Sequence, residues 1–269
     1  MNDIAFIGAG KMVSAIVKSL LKSGVYKSED ISCCSAKDGT SEKLSKDTGI
    51  IRKENIQDLL SYNPKTLVLG CKPQQISELP KEVSELTENI LILSIMAGIP
   101  LKKLSATFPK ARNIVRSMPN TPGQIGEGIT GYLFASKPNA EDQENIQKIL
   151  SSLGKFEELN EEVDLDRVTA ISGSGPAYIF EFTSALQEAG KEIGLSQEKA
   201  NKFAKQTVIG AAKLMEISNL SPEELRNQVT SPNGTTQAAL ESFCSNQFRK
   251  IITEATMAAK NRSIEFSNE

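Results

Sequence analysis

Histidine is absent from this chain of 269 residues. Because histidine is the commonest general acid near neutral pH and the commonest metal ligand, its absence predicts no metal site and requires another group to supply any proton. Lysines and arginines are spread along the chain and the net charge is −2, so the sequence has no basic patch of the kind that binds nucleic acid. The expected partners are small molecules or further copies of the chain.

Cysteine is also scarce, since the chain has only Cys33, Cys34, Cys71 and Cys244. They form no C-x-x-C pair, which argues against a zinc site and favours the reducing cytoplasm as the location. The apolar stretch after Met1 is short, lacks a basic leader and ends in a glycine-rich turn. We expect a buried strand there, and neither a signal peptide nor a membrane span.

Short apolar runs alternate with longer amphipathic stretches from residue 3 to about 160, which is typical of βαβ units in an α/β domain. Nearly continuous apolar runs suit a parallel sheet that helices cover on both faces, a doubly wound arrangement. The predicted strands are 4–7, 31–34, 66–70, 90–95 and 113–117, with 129–134 and 155–158 extending the far edge. The predicted helices are 12–23, 42–48, 56–62, 75–86, 101–107 and 140–153.

The strand signals end after about residue 161, and 164–264 is predicted to be helix after helix. We therefore predict two domains, 1–160 for cofactor binding and 161–269 as an all-helical domain. A hundred helical residues make a thin core, so we expect this second domain to complete its core against a partner subunit.

A glycine-rich turn joins the first predicted strand to the first predicted helix. Gly8 and Gly10 lie where a G-x-G-x-x-G fingerprint lets the backbone approach a dinucleotide pyrophosphate. Val13 stands at the third glycine position, where a small residue usually permits close packing of helix on strand. A plain glycine turn is the alternative, but strand, spacing and helix agree on dinucleotide binding.

The end of the second strand predicts which dinucleotide binds. An NAD enzyme usually has an acid there to hold the ribose hydroxyls, whereas this chain reads Cys34-Ser35-Ala36-Lys37. Neutral Ser35 with Lys37 close behind favours NADPH, with NADH as the alternative, although Lys37 also fits an ordinary surface lysine.

Two further loops follow predicted strands at the edge where ligands collect. Cys71 and Lys72 follow the predicted strand 66–70, and Cys71 is expected to pack rather than react. Asn120 lies in a loop stiffened by two prolines, which can present it toward the nicotinamide.

The loop Thr230-Ser231-Pro232-Asn233-Gly234-Thr235-Thr236-Gln237 opens into a helical run. The first turn of a helix leaves backbone N–H groups unpaired and carries partial positive charge, so this hydroxyl-rich loop can hold a small anion such as a carboxylate. Helix capping by Ser231 and the threonines is the plainer interpretation.

These motifs together resemble the pyrroline-5-carboxylate reductase family over nearly the whole chain. The order is G-A-G-K-M from Gly8, C-K-P from Cys71, M-P-N-T-P from Met118, S-G-S-G-P-A-Y from Ser172 and S-P-N-G-T-T from Ser231. The resemblance implies a Rossmann-like NADP-binding domain, a helical domain that forms an interwoven homodimer, a possible ring of dimers, and the last step of proline synthesis.

The resemblance also assigns site residues. It places the cofactor contacts at Gly8, Gly10, Lys11, Met12, Ser35, Asn55, Cys71, Lys72, Pro73, Ala97, Gly98 and Asn120. Lys37, close behind Ser35, is a further expected cofactor contact. It places the substrate at Ser231, Gly234, Thr235 and Thr236, with Thr236 as the catalytic residue that hydrogen-bonds the ring nitrogen, water being the alternative proton donor. Asn233 replaces the family's usual first glycine, and asparagine tolerates a left-handed backbone well.

Two alternatives remain. A β-hydroxyacid dehydrogenase shares the two-domain plan but uses a lysine in the helix after its glycine-rich hinge, and Ser172–Tyr178 is followed here by Ile179-Phe180-Glu181-Phe182. A cofactor-binding regulatory or scaffold protein could keep the fold and lose turnover. Motifs at both ends favour the reductase.

Overall fold

The computed structural model describes residues 3–268, with only the backbone described at Asn268. The chain divides into two compact units. The sheet unit comprises the residues up to Ser174 together with those from Ala259 onward, and the helical unit is Gly175–Ala258. The functional division between residues 160 and 161 stays a prediction, because compactness alone does not assign function.

One eight-stranded sheet forms the sheet unit, in the order β3-β2-β1-β4-β5-β6-β7-β8. The strands are β1 Ile4–Ile7, β2 Ile31–Cys34, β3 Ile51–Arg52, β4 Thr66–Leu69, β5 Leu91–Ser94, β6 Asn113–Met118, β7 Gly128–Phe134 and β8 Gly154–Glu158. All neighbours are parallel except β6 and β7. The seven predicted strands are confirmed, and the two-residue strand β3 was not predicted.

Helices cover both faces of this sheet, which confirms the doubly wound prediction. In the sheet unit they are α1 Lys11–Lys22, α2 Thr40–Thr48, α3 Ile56–Leu60, α4 Val83–Leu86, α5 Leu101–Thr107, α6 Ala140–Ser151 and α7 Val163–Val168. Alternate residues of a strand serve different layers, as β1 shows: Phe6 packs in the layer of α1 and α6, and Ala5 in the layer of α3, α4 and α5.

The predicted helix 75–86 is wrong in its middle. The structure has a 3-10 helix at Pro73–Glu78, then an extended residue, Leu79, and only the short α4 beyond it. Pro80 is the physical reason, because its ring disfavours helical backbone at the preceding residue and it has no N–H to donate.

The helices after α7 are α8 Gly175–Glu192, α9 Gln197–Ile217, α10 Pro222–Gln228, α11 Thr235–Ser245 and α12 Phe248–Asn268. A π-helical turn, Thr169–Gly173, joins α7 to α8 at the glycine-rich segment. No helix within residues 3–268 has both the length and the apolar character needed to cross a membrane.

The helical unit buries little apolar surface within one chain. Its buried apolar side chains are Ala200 and Ala204, both in α9. Large apolar side chains are exposed, including Phe180 at 65%, Ile193 at 81% and Phe203 at 63%. An exposed apolar surface of this kind marks an interaction site. It agrees with the expectation that the helical domain completes its core against a partner subunit.

Val13 fits against the sheet because Gly70 has no side chain. Val13 is 1% exposed, and a Cβ added at Gly70 would lie 2.2 Å from its Cγ2. The valine at the third fingerprint position is therefore accommodated by a glycine that follows β4.

This complementarity predicts a non-additive pair of mutations. Gly70→Ala should lower the free energy of unfolding by roughly 2 kcal/mol through overpacking, and Val13→Ala by a similar amount through lost burial. The double variant should resemble Val13→Ala alone, because the smaller side chain relieves the overlap. Urea unfolding of the three variants measures this, and Val17→Ala, buried on the same helix, is the control whose effect should add to that of Gly70→Ala. Additivity in both pairs would disprove the contact.

Candidate functional site

A cleft of about 400 Å³ lies at the carboxyl ends of β1, β2 and β4. Parallel strands collect ligands at this edge, where the strand order reverses beside β1. Six of the predicted cofactor residues line the cleft: Gly8, Gly10, Ser35, Asn55, Cys71 and Lys72. The sequence motifs on three separate strands therefore meet in one cavity.

The glycine turn at the floor of this cleft fits a pyrophosphate. Gly8 has φ +99°, its N–H donates to Cys34 O at 2.7 Å, and an added Cβ would lie 2.5 Å from Gly70 O. Gly10 precedes α1 as its N-cap and has no side chain to occupy the helix start, and an added Cβ there would meet no atom within 4 Å. The first turn of α1 is thus open to an anion in the cleft.

The turn after β2 contains an acid that the sequence analysis did not single out. The carboxylate of Asp38 accepts hydrogen bonds from Ser35 Oγ at 3.2 Å, Thr40 N at 3.0 Å and Thr40 Oγ1 at 2.6 Å. These hydrogen bonds, chiefly the one from the Thr40 side chain, lower the pKa of Asp38 below its usual value. Asp38, Ser35 and Thr40 all line the cleft.

Two further residues of the cleft have evident structural tasks. Asn55 is the N-cap of α3, where its Oδ1 accepts from Asp58 N at 2.7 Å. Burial raises the pKa of the Cys71 thiol, and its Sγ lies 3.6 Å from Met96 Sδ. A protonated thiol against methionine is suited to packing, in line with the expectation for Cys71.

The other predicted cofactor residues lie outside this lining. Lys11 lines a neighbouring cavity of about 490 Å³, together with Lys18 and Lys43. Met12, in the first turn of α1, packs against the core. The remainder are in loops at the same sheet edge: Lys37 is exposed after β2, Pro73 begins a 3-10 helix, and Ala97 and Gly98 follow β5.

Asn120 is buried, at 8% exposed, and both ends of its amide are bonded within the sheet unit. Its Nδ2 donates to Ser172 O at 3.1 Å, and its Oδ1 accepts from Ile129 N at 3.0 Å. The side chain fastens the proline-rich loop to β7 and to the π-helical turn. A contact between Asn120 and the nicotinamide stays a prediction.

The candidate anion site lies at the start of α11, within the helical unit. Gly234 is the N-cap and, as a glycine, has no side chain that could cap the helix. An added Cβ at Gly234 would lie 2.2 Å from Ser231 Oγ, which shows how closely the serine side chain approaches it. Thr236 is half-buried in the first turn, and Thr235 is exposed beside it.

Asn233 adopts the backbone expected of the glycine that it replaces. Its φ is +59°, in the left-handed region, and its N–H donates to Gln237 Oε1 at 2.8 Å. The side chain of Gln237, in the first turn of α11, therefore reaches back and satisfies the N–H of the residue before the N-cap.

Comparisons with known proteins place this geometry in a family. The family model described as pyrroline-5-carboxylate reductase dimerisation matches residues 162–266, and that described as NADP oxidoreductase, coenzyme F420-dependent, matches residues 3–98. The chain is 37% identical to a pyrroline-5-carboxylate reductase of Pseudomonas aeruginosa, over 99% of this chain and 97% of the relative.

Solved structures agree over the same length. A pyrroline-5-carboxylate reductase of Coxiella burnetii is similar with a TM-score of 0.91 and 32% identity, covering 99% of this chain and 98% of that one. A pyrroline carboxylate reductase of Plasmodium falciparum, solved with NADP bound, is similar with a TM-score of 0.83 and 28% identity, covering 98% of both chains. The chain belongs to the pyrroline-5-carboxylate reductase family.

Proposed function

We propose that this chain reduces L-1-pyrroline-5-carboxylate to L-proline with NADPH, the last step of proline synthesis. The observation that carries the proposal is the start of α11, where the N-cap is Gly234, which has no side chain, and the hydroxyl residues Ser231, Thr235 and Thr236 lie on either side of it in the chain. The substrate has one carboxylate, and a helix start binds such a group without an arginine.

The cofactor cleft fits a dinucleotide on the geometry of its glycines. The open space at Gly10 and the close approach enforced at Gly8 leave room for a pyrophosphate against the start of α1. Ser35, Thr40 and Asn55 line the part of the cleft beyond β2 and are proposed to contact the adenosine ribose. When bound, NADPH supplies the hydride that reduces the imine carbon.

Residues of the chain bind the imine substrate, orient it and supply a proton to its ring nitrogen. The N–H groups at the start of α11, with Ser231 and Thr235, hold the carboxylate of the imine. Thr236 donates a hydrogen bond to the ring nitrogen, directly or by relaying a proton from water. Reduction turns an imine nitrogen into an amine, so a donor at this atom favours the transition state over the bound imine.

An assay of NADPH oxidation tests the proposal against its rivals. The full chain is mixed with racemic pyrroline-5-carboxylate, with a β-hydroxyacid and NADP⁺, or with no substrate. We expect NADPH to be oxidised in the presence of pyrroline-5-carboxylate and in neither of the other two mixtures. Turnover of the hydroxyacid would identify a dehydrogenase, and dinucleotide binding without turnover of either substrate would identify a scaffold protein; both outcomes contradict the proposal.

The assembly is proposed to be a homodimer formed through the helical unit, with a ring of dimers as the larger form and the cytoplasm as its location. The exposed apolar side chains of α8 and α9 support the dimer, because they need cover that one chain does not provide. Light scattering at micromolar concentration separates a dimer from a ring, and a monomer would refute both.

A further inference from the structure

We propose that Asp38 sets the cofactor preference of this chain, because its carboxylate occupies the donors that a ribose 2′-phosphate would use. The inference rests on the proposed function and concerns only how the adenosine ribose is recognised. In the absence of Asp38, the turn after β2 would present Ser35 Oγ, Thr40 Oγ1 and Thr40 N to an anion. With Asp38 in place, all three lie within hydrogen-bond distance of Oδ1 of one carboxylate, with Thr40 Oγ1 the closest at 2.6 Å. Ser35 Oγ also has Ala36 O within reach at 3.0 Å, so the two donors of Thr40 are the ones that Asp38 chiefly occupies.

The backbone brings Asp38 to this position from further along the chain than usual. The acid that binds ribose hydroxyls normally stands just after the second strand, and this position is neutral here. A tight turn, in which Asp38 N donates to Ala36 O at 2.7 Å, folds the loop back so that the carboxylate lies beside Ser35. The fold therefore brings the Asp38 carboxylate close to Ser35, although Asp38 lies three residues further along the chain.

The chemistry of the carboxylate predicts the direction of its effect. A carboxylate accepts hydrogen bonds from the two ribose hydroxyls of NADH and repels the 2′-phosphate of NADPH. Positive charge is available to a phosphate once this repulsion is removed, because Lys11 and Lys43 line a neighbouring cavity that shares Gly10 and Thr40 with the cleft. Asp38 thus weakens a preference for NADPH that the rest of the turn would give.

The test compares dinucleotide affinities of the full chain in the absence of substrate. Nicotinamide fluorescence gives the dissociation constants of NADPH and NADH for the wild type, for Asp38→Asn and for Asp38→Ser. We expect both variants to shift the ratio of the two constants toward NADPH by about tenfold, as loss of a like-charge contact does. Melting temperatures establish that each variant is folded, and Asp38→Ser keeps a hydroxyl acceptor for Thr40.

Glu29→Gln is the charge-matched control, since Glu29 is exposed and precedes β2, whereas Asp38 follows the other end of that strand. A shift limited to the Asp38 variants supports the inference. An equal shift in Glu29→Gln, or none in the Asp38 variants, overturns it. If the ratio shifts but pyrroline-5-carboxylate is not reduced, the proposed function fails and the role of Asp38 stands; if the wild type binds neither dinucleotide, both fail.

Discussion

Thr236→Ala is expected to lower kcat for pyrroline-5-carboxylate by about ten- to a thousandfold, the range around and below that of general acid–base groups. The chain has no histidine, and Thr236 is a half-buried hydroxyl in the first turn of α11, where a substrate held by its carboxylate would present the ring nitrogen. Each factor of ten corresponds to about 1.4 kcal/mol of transition-state stabilisation. Steady-state kinetics with saturating NADPH measures the loss.

Two neighbouring substitutions separate a proton-donating role from a binding role. Thr236→Ser keeps the hydroxyl and should retain kcat within about tenfold of the wild type. Thr235→Ala removes a proposed carboxylate contact and should raise KM while changing kcat less. If Thr236→Ala leaves kcat unchanged, or raises only KM, Thr236 has no part in protonation and water is the donor.

The regular part of the fold could be predicted because its signals are local. Each long strand is an apolar run that ends at a turn, and Gly49 ends α2 with φ +74°, as its place after an amphipathic stretch predicts. β3 was missed because two residues carry no periodicity, and one of them, Ile51, is exposed at the sheet edge. A strand of this length is held by its pairing with β2, which the sequence does not show.

The antiparallel pairing of β7 with β6 follows from a connection too short for a helical crossover. Residues 119–127 hold only a 3-10 helix, Thr121–Ile125, whereas parallel neighbours need a crossover of a dozen or more residues. The loop length could have predicted this orientation. The break between α11 and α12 could not, since Gln247 has φ +56° without being glycine or asparagine.

Site residues could be predicted from the sequence where the backbone geometry requires one residue type. They were harder to predict where the conformation of a loop decides which side chain enters the site. Gly8 and Gly10 are identified by spacing alone, because only glycine fits one of them and open space surrounds the other. Asp38 was missed because its position depends on the turn at Ala36, a tertiary detail of a five-residue loop. Asp38 followed by Gly39 is a sequence signal that could have indicated a turn there.

Gly10→Asp is expected to raise KM for NADPH by about a hundredfold or more, because a carboxylate at the N-cap competes with the pyrophosphate for the same N–H groups. The fold should tolerate the change. Gly10 has φ −68° and ψ −175°, which any residue adopts, and an added Cβ meets no atom within 4 Å. Aspartate is also a favoured N-cap, so the melting temperature should stay within about 2 °C of the wild type or rise.

The matched substitution at Gly8 should fail for a different reason. Gly8→Ala places Cβ 2.5 Å from Gly70 O at φ +99°, so it should lower the melting temperature together with cofactor binding. Gly10→Ser caps the helix without a charge and should bind NADPH more tightly than Gly10→Asp. Nicotinamide fluorescence and thermal unfolding of the three variants distinguish these effects. Unchanged NADPH affinity in a folded Gly10→Asp variant would place the pyrophosphate elsewhere than at the start of α1.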